Sequence, residues 1–187
     1  MGNRRLGRKR LYQVESAGKK IDLESGAGIA GAIVSASQHR QGQELITEIA
    51  IDLGATGILA GGGNHKAMGT TGAAAHITKL TIAKFGIITK IRAICVEAPT
   101  GGITDVDIRT DAAARSQAGT AADTDALDSV NVLGEDSSKA YTNYTTLGQN
   151  GSSQHYLYIC NAGAGGADMD TGKYLIYIHG YAVPADL

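Results

Sequence analysis

The clearest chemical spacing in the chain is GAGIAG at residues 26 to 31, which satisfies G-x-G-x-x-G. In that fingerprint a buried strand runs into the first glycine and a helix leaves the last, so that a dinucleotide pyrophosphate rests on the helix N-terminus. Here IDLES leads in, AIVSASQHRQ leads out, and Gly42 interrupts any helix soon after. No alternation of strand and helix follows, so GAGIAG is expected to be a connector packed closely because its residues are small. GGGNHK at residues 61 to 66 lacks the G-K-[ST] ending that would place a lysine and a metal-binding hydroxyl on a phosphate, and reads as a loop. The five histidines, His39, His65, His76, His155 and His179, show neither H-x-H nor H-E-x-x-H spacing. Asp168 with Asp170, and Asp123 with Asp125, resemble fragments of calcium loops without the remaining oxygen ligands or the closing Glu. There is no G-x-S-x-G elbow, and Cys95 and Cys160 sit in apolar, strand-like runs that suit buried free thiols. No catalytic residue, metal or cofactor is expected, and the chain reads as a structural or binding protein, not an enzyme.

The elements that must position any site are strands. In ELITEIAIDL, residues 44 to 53, Leu45, Ile49, Ile51 and Leu53 oppose Glu44, Glu48 and Asp52, the period of a half-buried strand. Residues 75 to 99 hold two more strands broken near Phe85 and Gly86, and their β-branched content argues against a long helix. A turn from Pro99 to Gly102 leads into ITDVDIRT, where Val106 and Ile108 are expected to face in and Asp105, Asp107 and Arg109 out. The stretch DAAARSQAGTAADTDALD is small, polar and acidic, and reads as a long loop. Strand character returns in DSVNVLG, QHYLYICNAG and GKYLIYIHGYAVP. In the last of these Tyr174, Ile176 and Ile178 alternate with Leu175, Tyr177, His179 and Tyr181. Both faces are apolar or aromatic, which predicts a central strand or one covered by a neighbouring subunit.

About seven or eight strands, Gly-rich turns and no amphipathic helix predict an all-β fold, an antiparallel β-sandwich that is jelly-roll-like with an extended N-terminal arm. The expected division is a basic extended arm at residues 1–25, a small-residue connector at 26–43 and the β-sandwich at 44–187.

Charge is split along the chain. The total is −1, yet residues 1 to 20 carry seven Lys or Arg against the single Glu15, leaving ten basic and seventeen acidic residues in the remainder. A tail of +6 therefore precedes a body of −7. Terminal blocks of like charge are interaction tails, and Arg suits bidentate contact with carboxylate or phosphate. A domain built to lie on nucleic acid would not carry an acidic body, so nucleic acid is the less favoured partner. No apolar run follows the basic residues as a secretory signal requires, and no stretch approaches the ~20 apolar residues that span a bilayer, so no membrane association is expected.

The run MGNRRLGRKRL, followed by LYQVESAGKK, resembles the N-terminus of virion structural proteins of marine tailed bacteriophages. VEAPTGGITDVDIRTD and the closing GKYLIYIHGYAVPAD are similar in style to those chains. The resemblance implies a place in the virus particle, made in the bacterial host cytoplasm and carried on the capsid surface. A sandwich of this size with an arm looks like a capsid decoration or cement protein, commonly a homotrimer, whose partner is the major capsid protein. On this reading Arg4, Arg5, Arg8, Lys9 and Arg10 pair with acidic capsid residues while Leu6 and Leu11 fill apolar hollows. Tyr174, Tyr177 and Tyr181 of the C-terminal strand would supply the subunit contact. A head fibre, a tail component and a nucleic-acid-binding protein are the alternatives.

Overall fold

The computed structural model describes residues 18–55, 59–60, 66–100, 106–111, 113–117, 130–133, 141–144, 155–161 and 171–182. Twelve strands are named among them: β1 (Lys19–Lys20), β2 (Ile33–Gln41), β3 (Glu44–Asp52), β4 (Leu59–Ala60), β5 (Lys66–Gly69), β6 (Thr78–Leu80), β7 (Ile87–Thr100), β8 (Val106–Asp111), β9 (Val130–Leu133), β10 (Tyr141–Tyr144), β11 (His155–Asn161) and β12 (Thr171–Tyr181). The number exceeds the sequence expectation because several are pieces of two to four residues, too short to show a period. The first sheet runs β1-β2-β3-β12-β7-β10; the second runs β4-β5-β11-β8-β9, with β6 also pairing β11. Every pairing is antiparallel. Side chains from the two sheets share one hydrophobic core: Ile49, Ile51, Ile91, Tyr174, Ile176 and Ile178 from the first meet Met68, Leu80, Ile108, Leu157 and Ile159 from the second. The architecture is the expected antiparallel β-sandwich.

The first sheet is built on period-two sequence. Along β3, Thr47, Ile49 and Ile51 are buried and alternate with half-buried residues. β2 and β3 form a hairpin with Gln41 opposite Glu44. Gly42 takes φ +65° at the first central position of its two-residue turn, where a side chain would clash with its own backbone. β12 then enters between β3 and β7 and is paired on both edges, as its two-sided apolar pattern predicts.

The span expected as a connector, residues 26–43, contributes structure of its own. Ile29 and Ala32 are core residues, and Ile33–Gln41 is a full strand of the first sheet. Its sequence, IVSASQHRQ, hides this because Ser and Gln fill inward and outward positions alike, so hydrophobic alternation is absent.

The break near Phe85 and Gly86 is a single helical turn, α1 (Ile82–Phe85), between β6 and β7. Thr81 caps it, its hydroxyl accepting from the Lys84 N–H at 3.3 Å. Gly86 closes it at φ +69°. The turn is seated on the end of β12, where a Cβ at Gly180 would overlap the Phe85 carbonyl oxygen. Gly180→Ala is therefore expected to destabilise the protein by roughly 2 kcal/mol or more, through displacement of α1. Urea unfolding monitored by circular dichroism checks this; an unchanged midpoint would mean that α1 does not need the close approach.

Candidate functional site

Arg4, Arg5, Leu6, Arg8, Lys9, Arg10 and Leu11 lie outside the described residues. What the structure does show is how the chain is held where the arm begins. β1 pairs with β2 at the edge of the first sheet, Lys19 opposite Gln38 and Lys20 opposite Ser37. The next residues turn inward. Glu24 holds φ +52°, unusual outside glycine, with its N–H donating to Asp22 Oδ1 at 2.9 Å. The Thr78 hydroxyl donates to the Leu23 carbonyl at 2.8 Å, and the Ser25 hydroxyl to the Ile77 carbonyl at 2.6 Å. Lys84 pairs with Glu24 at 3.1 Å, while the Leu23 side chain is buried in the core. Residues 19–25 are thus bonded to both sheets.

GAGIAG completes this seat. The Gly26 N–H donates to the His76 carbonyl at 2.9 Å, the Gly28 N–H to the Ala74 carbonyl at 2.7 Å, and the Thr70 N–H to the Gly28 carbonyl at 2.8 Å. A Cβ at Gly26 would overlap the Ala74 carbonyl oxygen, and one at Gly28 would stand 2.8 Å from it. The glycines allow two backbones to approach, and the space a pyrophosphate would need is filled by residues 70–76. The segment is closely packed, as its small residues suggest.

His76 closes the seat from the other side. Its Nε2 lies 3.1 Å from the Glu24 carbonyl oxygen, which only accepts, so Nε2 carries the hydrogen. Nδ1 is buried without a hydrogen-bond partner among the described residues. The ring stands edge-on to Tyr156, 4.9 Å between centroids. Burial lowers the His76 pKa below the usual imidazole value, and Lys79 lowers it further against the opposing effect of the Glu24 carbonyl. A histidine with a depressed folded-state pKa contributes stability that is complete above the unfolded value of ~6.5 and is lost as pH falls from there through the folded value. The melting temperature should therefore drop below pH ~6.5, and the drop should be smaller in His76→Gln. Parallel acid branches in the two proteins would remove His76 from this role.

A second polar layer was not legible in the sequence. Asp107 and Arg109, expected on the solvent side of β8, are only 3 % and 5 % exposed, and Asp111 is 2 % exposed. The correction has a physical cause: residues 73–76 and 113–117 cross the outer side of the second sheet, joined by the Ala74–Ser116 bridge. Arg109 Nε meets Asp107 Oδ2 at 3.1 Å, and Arg115 Nε meets Asp111 Oδ2 at 2.9 Å. Tyr158 ties this cover down, its hydroxyl donating to the Ala113 carbonyl at 3.0 Å and accepting from the Arg115 N–H at 2.7 Å. Burial pushes the Tyr158 pKa up to about 12, which keeps it a donor. Local alternation cannot reveal a cover that comes from elsewhere in the chain. Asp107→Ala would leave Arg109 charged and buried, and should cost about 3–5 kcal/mol in denaturant unfolding, whereas replacing both by apolar residues should cost far less. Equal losses in the single and double variants would contradict the pairing.

The tyrosines expected at a subunit contact divide. Tyr174 is 1 % exposed and belongs to the monomer core beside Cys95, its cross-strand partner, so it cannot touch another copy. Its alternation with Leu175 places it inward, a direction the sequence left open because both faces of β12 are apolar. Tyr177 faces outward under Arg92, whose guanidinium carbon is 5.3 Å from the ring centroid. Tyr181 is 50 % exposed beside its partner Ile87, which is 52 % exposed. Cys95 and Cys160 are buried free thiols, as their runs imply, and burial raises both pKa values.

No group of three His, Cys, Asp or Glu side chains capable of holding a metal occurs among the described residues, and none of their helices is long and apolar enough to cross a membrane. Asp168, Asp170, Asp123 and Asp125 of the calcium-like fragments lie outside the described residues. Comparison of the chain with protein-family models, curated proteins and solved structures found no match in any of the three.

Proposed function

We propose that this chain is a structural virion protein that binds the outer capsid shell as a decoration or cement protein, its jelly-roll-like sandwich lying on the shell. Its basic N-terminal arm tethers it to an acidic surface of the major capsid protein. The observation that carries this reading is the charge split, a segment of +6 joined to a body of −7. That segment enters the body through an edge strand and a turn bonded to β6, α1 and His76. A tether needs a charged end that finds its surface and a root that does not peel away; the second requirement is met by named hydrogen bonds.

The energetics constrain how the arm works. Ordering a free segment costs about 1–2 kcal/mol per residue in backbone entropy, and exposed ion pairs return ~0–1 kcal/mol each. Arg4, Arg5, Arg8, Lys9 and Arg10 therefore need Leu6 and Leu11, whose burial is worth roughly 1.5–3 kcal/mol each. Several arms on one assembly act together, because the second binds at high effective concentration. A homotrimer, as the resemblance implies, meets that need, and so does any other closed oligomer of the chain. No catalytic step, cofactor or metal enters the reading.

The test is co-sedimentation with DNA-free shells of the phage that encodes the chain, comparing the full protein with a version lacking residues 1–17, which keeps β1. Saturable binding by the full protein, lost or much weakened without the arm, is the expected result. Failure of the full protein to bind would overturn the shell reading. In that case binding to duplex DNA, with a log–log salt slope near −0.9 per phosphate contacted, would identify the nucleic-acid alternative.

A further inference from the structure

We propose that His76 is an acid-sensitive latch on the root of the N-terminal arm: when neutral it holds residues 19–25 against the second sheet, and its protonation lets them come away while the sandwich stays folded. The inference takes its purpose from the tether reading, although its test involves no shell. It starts from how the root is bonded. Among the described residues, 23–26 meet 76–78 through four hydrogen bonds. The Gly26 N–H to the His76 carbonyl joins backbone to backbone. The other three need a side chain: the Thr78 hydroxyl on the Leu23 carbonyl, the Ser25 hydroxyl on the Ile77 carbonyl and the His76 ring on the Glu24 carbonyl. The ladder before them is short, since β1 has two residues at the margin of its sheet and the Ile21 N–H adds a bond to the Ala36 carbonyl at 3.2 Å. Segments held by few bonds near a chain end open separately from the core.

The ring is placed to be neutral. Nε2 carries the hydrogen that bonds the Glu24 carbonyl, so the second proton of an imidazolium would go to Nδ1, which is buried with no partner among the described residues. Tyr156 and Tyr158 of β11 present rings to it where a carboxylate would be needed. The charges around it do not compensate. Lys79 of β6, whose ammonium lies 5.9 Å from the centroid of the Tyr156 ring, opposes a second cation. The Glu24 carboxylate is engaged by Lys84 of α1 at 3.1 Å, and Asp111 by Arg115 beside Tyr158. A charge on His76 is relieved when the ring turns into water and gives up the Glu24 carbonyl. Burial holds the folded-state pKa below the unfolded value, so opening takes up a proton and is favoured as pH falls below ~6.5. Glu24 favours release as well, because its φ of +52° can relax once its carbonyl is free. Gly28 marks where opening stops: its bonds to Ala74 and Thr70 join backbone to backbone and involve no titrating group. Release adds residues 18–25 to the arm, a gain in reach of about 27 Å at ~3.4 Å per extended residue. Acid would thus lengthen the tether.

The experiment is amide hydrogen exchange of the full chain read by NMR at about pH 7.5 and about pH 5.5, a unit either side of the ordinary imidazole value, with rates corrected for the pH dependence of exchange itself. The Ile21 and Gly26 amides report on the root, and those of Ile49 and Ile176 on the sandwich. Protection at Ile21 and Gly26 should fall in acid while that at Ile49 and Ile176 holds. In His76→Gln, whose side-chain amide can donate to the Glu24 carbonyl but takes up no proton, the fall should disappear. Circular dichroism establishes that the variant is folded. If it is not, the imidazole titration of the unmodified protein provides the second measurement: His76 should show the Nε2–H tautomer and a midpoint below ~6.5, and a midpoint at or above that value would overturn the proposal. So would equal root protection at the two pH values, the same fall in folded His76→Gln, or a matching fall at Ile49 and Ile176, which would mean that the whole sandwich opens. Each of these results leaves shell binding to its own co-sedimentation test, and failure to bind shells would leave the exchange result standing.

Discussion

The structure depends on β12 being paired along both edges. The hairpin β2–β3 comes from the N-terminal third of the chain, and β7 from its middle. Among the described residues of the first sheet the two are joined through β12, which bonds β3 over nine positions and β7 over ten. Until the last strand is in place the two halves have no common ladder, and the core lacks Tyr174, Ile176 and Ile178. Contacts of such sequence separation form slowly because loop-closure entropy opposes them before the ladder compensates. The ladder with β7 carries register shifts between Thr171 and Lys173, Lys173 and Tyr174, and His179 and Gly180, the mark of bulges at its two ends.

The same insertion leaves an outward face on β12, where Leu175 and Tyr177 stand between Lys173 and His179. It also fixes where the N-terminal segment can go. With β12, β3 and β2 in order, the first sheet has β1 at its margin, and the residues that follow cross to the second sheet at 70–78. The arm root is thereby bonded to both layers of the sandwich. Glu24, the non-glycine residue with positive φ among those described, sits at that crossing and is held by Asp22, His76 and Lys84. Local strain of this kind persists only where surroundings over-determine it. The tether reading gives those contacts a purpose.

The second sheet solves a different problem. Its outer side carries charged residues in a strand, VDIRTD, that would normally face water. The structure buries them beneath a cover held by Tyr158, Asp107 paired with Arg109 of the same strand and Asp111 with Arg115 of the cover. Such pairs add little net stability compared with an apolar layer, but breaking one is costly, so they penalise a cover docked in the wrong register.

The sequence by itself determined the class of the fold, the strands with clear two-residue periods in β3 and β12, the buried thiols and the charge split. Each is a local property that needs no partner to be read. Period fixes which side chains share a face, and composition fixes where charge lies. It did not determine that Ile33–Gln41 is a strand, that GAGIAG lies against Ala74, that Asp107 and Arg109 are inside, or that Tyr174 belongs to the core. Those outcomes rest on which segments meet across dozens of residues: β3 recruits β2 through backbone hydrogen bonds that do not depend on side-chain pattern. A strand with two apolar faces can be turned either way until another layer chooses. Only the tertiary structure made that choice, by giving one face of β12 to the second sheet and leaving the other facing outward.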